Sequence, residues 1–337
     1  MPEPETGRRP PVSREPGKPS EEILTACVRA ATAAPSIHNS QPWLFRIGDG
    51  TVDVLADPRR RLEAIDPSGR EMLISIGAAV FNLRLALHAQ GWTPETRLFP
   101  EAAEPDRVAR VLAGSYAQPD ESLVELAAAL PHRHTNRLPF TSAMVPAPVL
   151  RALAAAAESE GAVFHVADTV ARNAILDLVR TADERLRARG VRRAELAGRS
   201  RPAPRRRNAL PPVAPGSWDA LEVLPVRDFG LALPQLHRPA EPFPSSPTIA
   251  VLSTGTDGPG AWVRSGQALQ RVLLTATTRG IATTPMSHPL EIPALREVVA
   301  GAESGRRPQV ILRLGYAPPT PPTPRRPLPE VLLPAAP

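Results

Sequence analysis

SIGAAVFNLRLALHAQG, residues 75–91, and SGQALQRVLLTATTRG, residues 265–280, are two versions of one pattern. In each stretch apolar residues recur every three or four positions, as they do on one face of a helix. Gly91 and Gly280 stand where the C-terminal cap of a helix belongs. The pattern therefore predicts two related helices, from Ser75 to Gln90 and from Ser265 to Arg279.

Superposing the two terminal glycines brings other residues into register. The pairs are Gly77 with Gly266, Ala79 with Ala268 and Leu85 with Leu274. Caps and helical spacing can produce such a weak repeat by chance, so the order of the surrounding elements is needed as further evidence.

Both repeated helices sit among elements of mixed type. Ser20 and the two glutamates after it predict a helix to about Ala34, stopped by Pro35, and Gly48-Asp49-Gly50 predicts a hairpin between two strands. Residues 66–70 read as a turn and N-cap before the first repeated helix. The second half predicts helices at 147–160 and 171–187 and strands at 162–167, 248–254 and 310–316.

This order predicts an α+β fold of two tandem halves packed as a pseudo-dimer. The expected divisions are a disordered tail at 1–20, an N-terminal half at 21–125, a C-terminal half at 126–330 and a tail at 331–337. Prolines concentrate in 1–19, 200–247 and 317–337. The stretch 187–247, with seven arginines between 192 and 207, is either a lid or a solvated excursion.

Composition excludes several classes of protein. The chain has 337 residues, 42% of them hydrophobic, and a formal charge of +6 that comes almost wholly from arginine. No basic patch is interleaved with aromatics as in single-strand binders, so no nucleic-acid partner is expected. No run approaches the roughly 18 apolar residues of a membrane span, and no apolar leader opens the chain, which predicts a cytoplasmic protein. Cys27 is expected to be a small buried residue.

The loop PSIHNSQPW, residues 35–43, concentrates amides and hydroxyls directly after a helix. Asn and Gln side chains each offer a donor and an acceptor, which suits the edge of a flavin-like heterocycle. The alternative is a purely structural polar loop.

Two further segments carry paired arginines. In HRHTNRLPF, residues 132–140, an extended backbone would put Arg133, Thr135 and Arg137 on one side, as an anion clamp or as a charged surface turn. Arg325 and Arg326 lie in a proline-rich arm that either reaches across a partner surface or is solvated. Motifs of zinc proteases, serine hydrolases, Rossmann domains and P-loops are missing from the sequence, and no metal site is expected.

These segments together resemble FMN-dependent nitroreductases. PSIHNSQPW resembles their PS-x-x-N-x-QPW loop and RHTNRLPF their phosphate-binding R-x-S/T segment. The stretch 265–285 resembles their central helix and following loop, while PQVILRLGY and PRRPLPEV resemble the closing strand and the phosphate-contacting tail. In ordinary members one shorter chain carries both motifs, whereas here each half carries only some of them. This division resembles the Acg-like branch, over about residues 21–330.

The resemblance implies one FMN between the halves. It places Ser36, His38, Asn39 and Gln41 at the flavin ring or ribityl chain, and Met286 and Ser287 near its N5 edge. It places Arg133, Thr135, Arg137, Arg325 and Arg326 around the phosphate.

Three functions are compatible with this resemblance. The first is hydride transfer from NAD(P)H through flavin N5 to an electrophilic small molecule, with no catalytic side chain required. The alternative is FMN sequestration or storage under a closed lid, and a flavin oxidase or flavin-cleaving enzyme is a third option. A monomer is expected, with further dimerisation left open.

Overall fold

The computed structural model describes residues 17–187, 218–219, 240–241, 243 and 246–334. Within them the chain is α+β, as predicted, and it builds two larger sheets separated by helices. Residues 1–16 of the tail predicted at 1–20 lie outside the described residues, and so does the arginine cluster between 192 and 207 of the predicted lid.

The first half packs two helices on one face of an antiparallel sheet. Its elements are α1 (Glu21–Ala31), β1 (Trp43–Gly48), β2 (Thr51–Ala56), α2 (Arg70–Ala89), β3 (Trp92–Leu98), β4 (Arg107–Tyr116) and α3 (Glu121–Ala128). The Ser20 cap and the hairpin at Asp49-Gly50 are confirmed, while α2 begins five residues before the predicted start. Cys27 is buried in the core of this half, as expected, and burial raises the pKa of its thiol to about 12.

The second half has helices on both faces of its sheet. Its elements are α4 (Ala147–Glu158), β5 (Val163–Val166), α5 (Thr169–Arg187), β6 (Trp218–Asp219), β7 (Ala240–Glu241), β8 (Thr248–Thr254), α6 (Pro259–Thr278), β9 (Ala282–Pro285), α7 (Pro293–Ala302) and β10 (Arg307–Gly315). The antiparallel order β5-β8-β10-β9 puts β8 and β10 in the centre. Because both faces of these two strands are covered, their sequences are apolar runs without alternation.

The described C-terminal end of the chain returns to the first half. A short helix, α8 (Leu328–Val331), leads into β11 (Leu332–Leu333), which pairs in parallel with β1. Val331 is fully buried in the core of the first half. Leu332 and Leu333 are therefore part of the first sheet and Val331 is part of its core, which differs from the tail predicted there.

The two repeated helices, α2 and α6, cross at the pair of glycines that the repeat placed in register. A Cβ on Gly77 would collide with the carbonyl oxygen of Val263 and lie 3.0 Å from the Gly266 Cα. A Cβ on Gly266 would collide with the carbonyl oxygen of Ile74 and lie 2.9 Å from the Gly77 Cα. The contacts are reciprocal, and Ile74 and Val263 are themselves a pair in the repeat. Such self-complementarity is the signature of a two-fold axis, here between halves of one chain.

Helix α2 departs from one expectation of the sequence. By length and composition it could cross a membrane, although no stretch was expected to approach such a span. In the structure 78% of its most apolar 18-residue window is buried inside the protein. Its composition is accounted for by contacts with α1, α6 and the first sheet.

Gly77→Ala should lower the free energy of unfolding by about 3 kcal/mol or more, because the added methyl group meets backbone that cannot rotate away. Urea denaturation measures the change. Gly301→Ala is the matched control, since Gly301 lies in α7 with open space around its Cα, and it should raise stability by up to about 1 kcal/mol. Equal stability of the Gly77→Ala variant and the parent would contradict the close crossing.

Candidate functional site

A cavity of about 150 Å³ lies where the two halves meet. The first half lines it with residues 35–38 and with one face of α2, namely Glu71, Ile74, Ser75 and Ala78. The second half lines it with Thr135, Arg137, residues 284–288, Glu291, Val310 and Arg313. Neither half encloses this space alone.

The loop at 35–43 owes its shape to unusual backbone conformations. His38, Asn39 and Gln41 have φ of 47°, 53° and 48°, the left-handed region that non-glycine residues rarely adopt. Two hydroxyls hold the loop: Ser36 Oγ accepts from the Gln41 N–H at 2.9 Å, and Ser75 Oγ accepts from the Ile37 N–H at 3.1 Å. The resulting turn presents Ser36 and His38 to the cavity.

Asn39 and Gln41 contact the C-terminal arm and are not among the cavity-lining residues. The Asn39 side-chain amide donates to the Pro324 carbonyl at 3.1 Å. Gln41 is fully buried, and its Oε1 accepts from the Arg326 N–H at 2.7 Å. These amides therefore fix the arm to the loop, and a direct contact between them and a flavin stays a prediction.

Arg133 and Arg325 meet at the C-terminal end of α1. Arg133 donates to the Ala33 carbonyl at 3.2 Å, and Arg325 donates to the carbonyls of Thr32, Ala33 and Ala34 at 2.9, 3.2 and 3.2 Å. The next residue, Pro35, lines the cavity. One arginine from each of two distant segments thus reaches the backbone just before Pro35, although neither arginine lines the cavity itself.

The electrostatics of this pair favour an anion. Arg133 is 4% exposed, and no described carboxylate lies within ion-pair distance of it or of Arg325. Burial and the charge of Arg325 lower the pKa of Arg133 to about 9, and burial lowers the pKa of Arg325 to about 10. The Arg133 Nε has no hydrogen-bond partner among the described residues. Two desolvated guanidiniums side by side fit a phosphate group.

Arg326 differs from its neighbour because carboxylates surround it. Its guanidinium lies 3.6 Å from Asp57 and 3.7 Å from Glu330, and it donates to the carbonyls of Gln41 and Trp43. Its described contacts tie the arm to the first half, and the predicted phosphate contact of Arg326 stays a prediction.

Thr135 and Arg137 line the cavity, whereas Arg133 does not. The prediction that all three lie on one side is therefore wrong for Arg133, whose guanidinium contacts the Ala33 carbonyl instead. From Thr135 the segment runs beside β9, and the Asn136 N–H donates to the Thr283 carbonyl at 3.0 Å. Arg133 therefore lies at the end of α1, whereas Arg137 lies in the wall of the cavity.

Met286 and Ser287 line the cavity from the loop after β9. The Met286 N–H donates to the Ile311 carbonyl at 2.8 Å, and Ser287 Oγ accepts from the Ile311 N–H at 3.1 Å. Both contacts hold the loop against β10, so its position is set by the central strand of the second sheet.

Several lining residues were missed by the sequence analysis, namely Glu71, Ser75, Thr284, His288, Glu291 and Arg313. Glu71 lies in the first turn of α2, which was left outside the helix predicted from Ser75. Arg313 did give a signal, because it is a single charge inside the apolar run VILRLGY.

Proteins of known name match almost the whole chain. "Putative NAD(P)H nitroreductase Rv3131" of Mycobacterium tuberculosis is 34% identical over 331 residues, covering 93% of this chain and 92% of that protein. "Putative NAD(P)H nitroreductase acg" of the same species is 32% identical over 336 residues, covering 92% and 95%. These matches run through both halves. No family model matches the chain.

Two solved structures are similar at lower identity. The FMN-dependent nitroreductase NfnB of Mycobacterium smegmatis, in complex with NADPH, is 20% identical with a TM-score of 0.38, covering 62% of this chain and 97% of that chain. A nitroreductase of Desulfitobacterium hafniense with bound FMN is 18% identical with a TM-score of 0.38, covering 60% and 94%.

Gln41→Ala should lower the free energy of unfolding by about 1–3 kcal/mol, because the Arg326 N–H then loses its acceptor in a buried place. Urea denaturation again measures the change. Gln118→Ala, at an exposed position outside helices and strands, is the control and should stay within about 0.5 kcal/mol of the parent. If Gln41→Ala and Gln118→Ala have the same free energy of unfolding, the side-chain amide of Gln41 does not hold the arm.

Proposed function

The chain belongs to the Acg-like branch of the FMN-dependent nitroreductase superfamily, and on that premise we propose that it is a flavin oxidoreductase. It binds one FMN between its halves and passes a hydride from NAD(P)H to an electrophilic small molecule. The observation that carries this proposal is the pair of the buried Arg133 and the half-buried Arg325, two guanidiniums without a described carboxylate partner.

The residues of the site fit FMN. Arg133 and Arg325 would hold the phosphate, and the carbonyl groups at the end of α1 keep both guanidiniums in place. Ser36, His38, Thr135 and Arg137 offer polar groups in the cavity, while Ile74 and Val310 offer apolar surface for the ring. Pockets of this composition, apolar with a few polar groups, are typical of cofactor sites.

When bound, FMN supplies the chemistry of accepting and donating a hydride at N5. The chain's own residues would bind the phosphate and orient the ring in the cavity. No side chain is needed to take up or give a proton in the hydride transfer, so no catalytic residue is assigned. We also propose that the chain works as a cytoplasmic monomer, without nucleic acid or membrane as a partner.

We propose one FMN per chain because the place beside α6 that the repeat relates to the cavity is occupied by other side chains. The superposition that pairs Gly77 with Gly266 matches Ala78 of the cavity with Gln267 of α6. Gln267 Oε1 accepts from the Arg84 guanidinium at 2.7 Å, and Arg84 also pairs with Glu160 at 2.7 Å. Arg271 completes the cluster through its contact with Glu160 at 3.0 Å. The place that corresponds to the cavity is thus occupied by a cluster of side chains that contact one another, namely Arg84, Glu160, Gln267 and Arg271.

The activity can be tested on the purified full-length chain. We expect a flavin absorption spectrum with about one FMN per chain, and rapid bleaching of that spectrum when NADH or NADPH is mixed in under anaerobic conditions. A colourless chain that does not bind added FMN would overturn the proposal. Two FMN per chain would contradict the single site. Bound FMN that neither nucleotide reduces would favour sequestration and contradict the oxidoreductase.

Arg133→Ala should weaken FMN binding by about 1–3 kcal/mol, the range of a charge-assisted hydrogen bond. Arg137→Ala should have an effect of similar size. Arg151→Ala, at an exposed position of α4, is the control and should bind FMN like the parent. Titration with FMN and with riboflavin separates the contacts, since loss of a phosphate contact weakens FMN binding and leaves riboflavin binding unchanged. Equal FMN affinity of the Arg133→Ala variant and the parent would reject the phosphate assignment.

A further inference from the structure

Arg313 is a charged residue in the centre of the second sheet. It lies in β10, between β8 and β9, and it is 1% exposed. The residues on either side of it, Leu312 and Leu314, belong to the apolar core of this half. Burial of this guanidinium removes its hydration, which costs free energy that its surroundings must offset.

Aromatic rings cover the guanidinium of Arg313. Its central carbon lies 3.8 Å from the centre of the Phe140 ring and 5.2 Å from that of Phe243. Phe140 can approach because β10 has Gly315 beside it, where a Cβ would lie 2.8 Å from the ring. These rings attract a cation through their negative faces.

Hydrogen bonds fix the plane of the same group. One terminal nitrogen donates to the Leu138 carbonyl at 2.9 Å and to Thr284 Oγ1 at 3.2 Å. The Thr284 hydroxyl in turn donates to the Asn136 carbonyl. The guanidinium is therefore locked by rings and by hydrogen bonds, and it cannot turn to follow a ligand.

Arg313 also lines the cavity, together with Thr284 and Met286. It comes from another element than Arg133 and Arg325, which meet at the end of α1. A fixed positive charge facing a partly desolvated cavity stabilises negative charge there without any reorganisation at the moment of reaction. A phosphate clamp differs from this arrangement, because the phosphate that it binds is negatively charged before any reaction takes place.

We propose that Arg313 supplies the fixed positive charge that stabilises the negative charge arriving in the cavity with the hydride. The inference rests on the proposed function. A hydride brings two electrons and one proton, so its transfer to oxidised FMN adds one negative charge, and Arg313 neither gives nor receives a proton. Its role is electrostatic, and its effect should appear in the reduction potential of the bound cofactor.

The test uses the FMN-loaded chain and its variant Arg313→Met, which fills the space between the rings without a charge. At a fixed potential we expect the ratio of reduced to oxidised flavin to fall about tenfold, equal to about 30 mV for a two-electron couple. Sulfite, which adds to N5 and leaves a negative charge on the ring, should bind the variant about tenfold more weakly.

Arg313→Lys keeps the charge and should stay within about threefold of the parent in both measurements. Arg271→Met is the control and should change neither measurement, because Arg271 lies on α6 outside the cavity and pairs with Glu160. If Arg313→Met does not fold, the lysine variant decides, since a tenfold shift despite its retained charge would overturn the proposal.

An unchanged potential and unchanged sulfite affinity in Arg313→Met would leave Arg313 with a packing role only. Failure of the parent chain to bind FMN is a different result, because it would overturn the proposed function itself.

Discussion

The contact on which the rest of the structure depends is the backbone approach of α2 and α6 at Gly77 and Gly266. Each glycine leaves room for the other helix, and carbonyl groups occupy the places where side chains would be. This crossing holds the start of α2 and the loop at 35–43 opposite β9 and β10. A cavity results that belongs to both halves, so the folding of each half and the shape of the site are inseparable.

The C-terminal arm of the chain crosses the contact between the two halves. Residues 324–326 bond to the loop and to the end of α1, and β11 extends the first sheet. The arm thus carries Arg325 to Arg133, although the two residues are 192 positions apart in the sequence. Bringing like charges together in a desolvated corner is unfavourable by itself, and an anion bound there offsets that cost. Ligand binding and attachment of the arm should therefore stabilise each other.

Much of the architecture could be predicted because its signals are local. Periodic apolar residues and a terminal glycine define α2 and α6, and Asp49-Gly50 defines the first hairpin. The start of α2 at Arg70, the short strand β9 and helix α7 were not predicted. Their sequences are short or begin with turn-forming residues, so tertiary contacts decide their conformation. In the site, Ser36, His38, Thr135, Arg137, Met286 and Ser287 do line one cavity, but Glu71 and Arg313 were missed.

The sequence by itself determined the repeat, the composition of the elements and the motifs that carry the family likeness, because these depend on residue order and spacing along the chain. Only the tertiary structure decided how those motifs are used. It turned Asn39 and Gln41 toward the arm, and it placed Arg133 at the end of α1 while Arg137 lines the cavity. It also enclosed Arg313 between rings from distant segments. Such contacts join residues far apart in sequence, and no local pattern encodes the charge and burial that result.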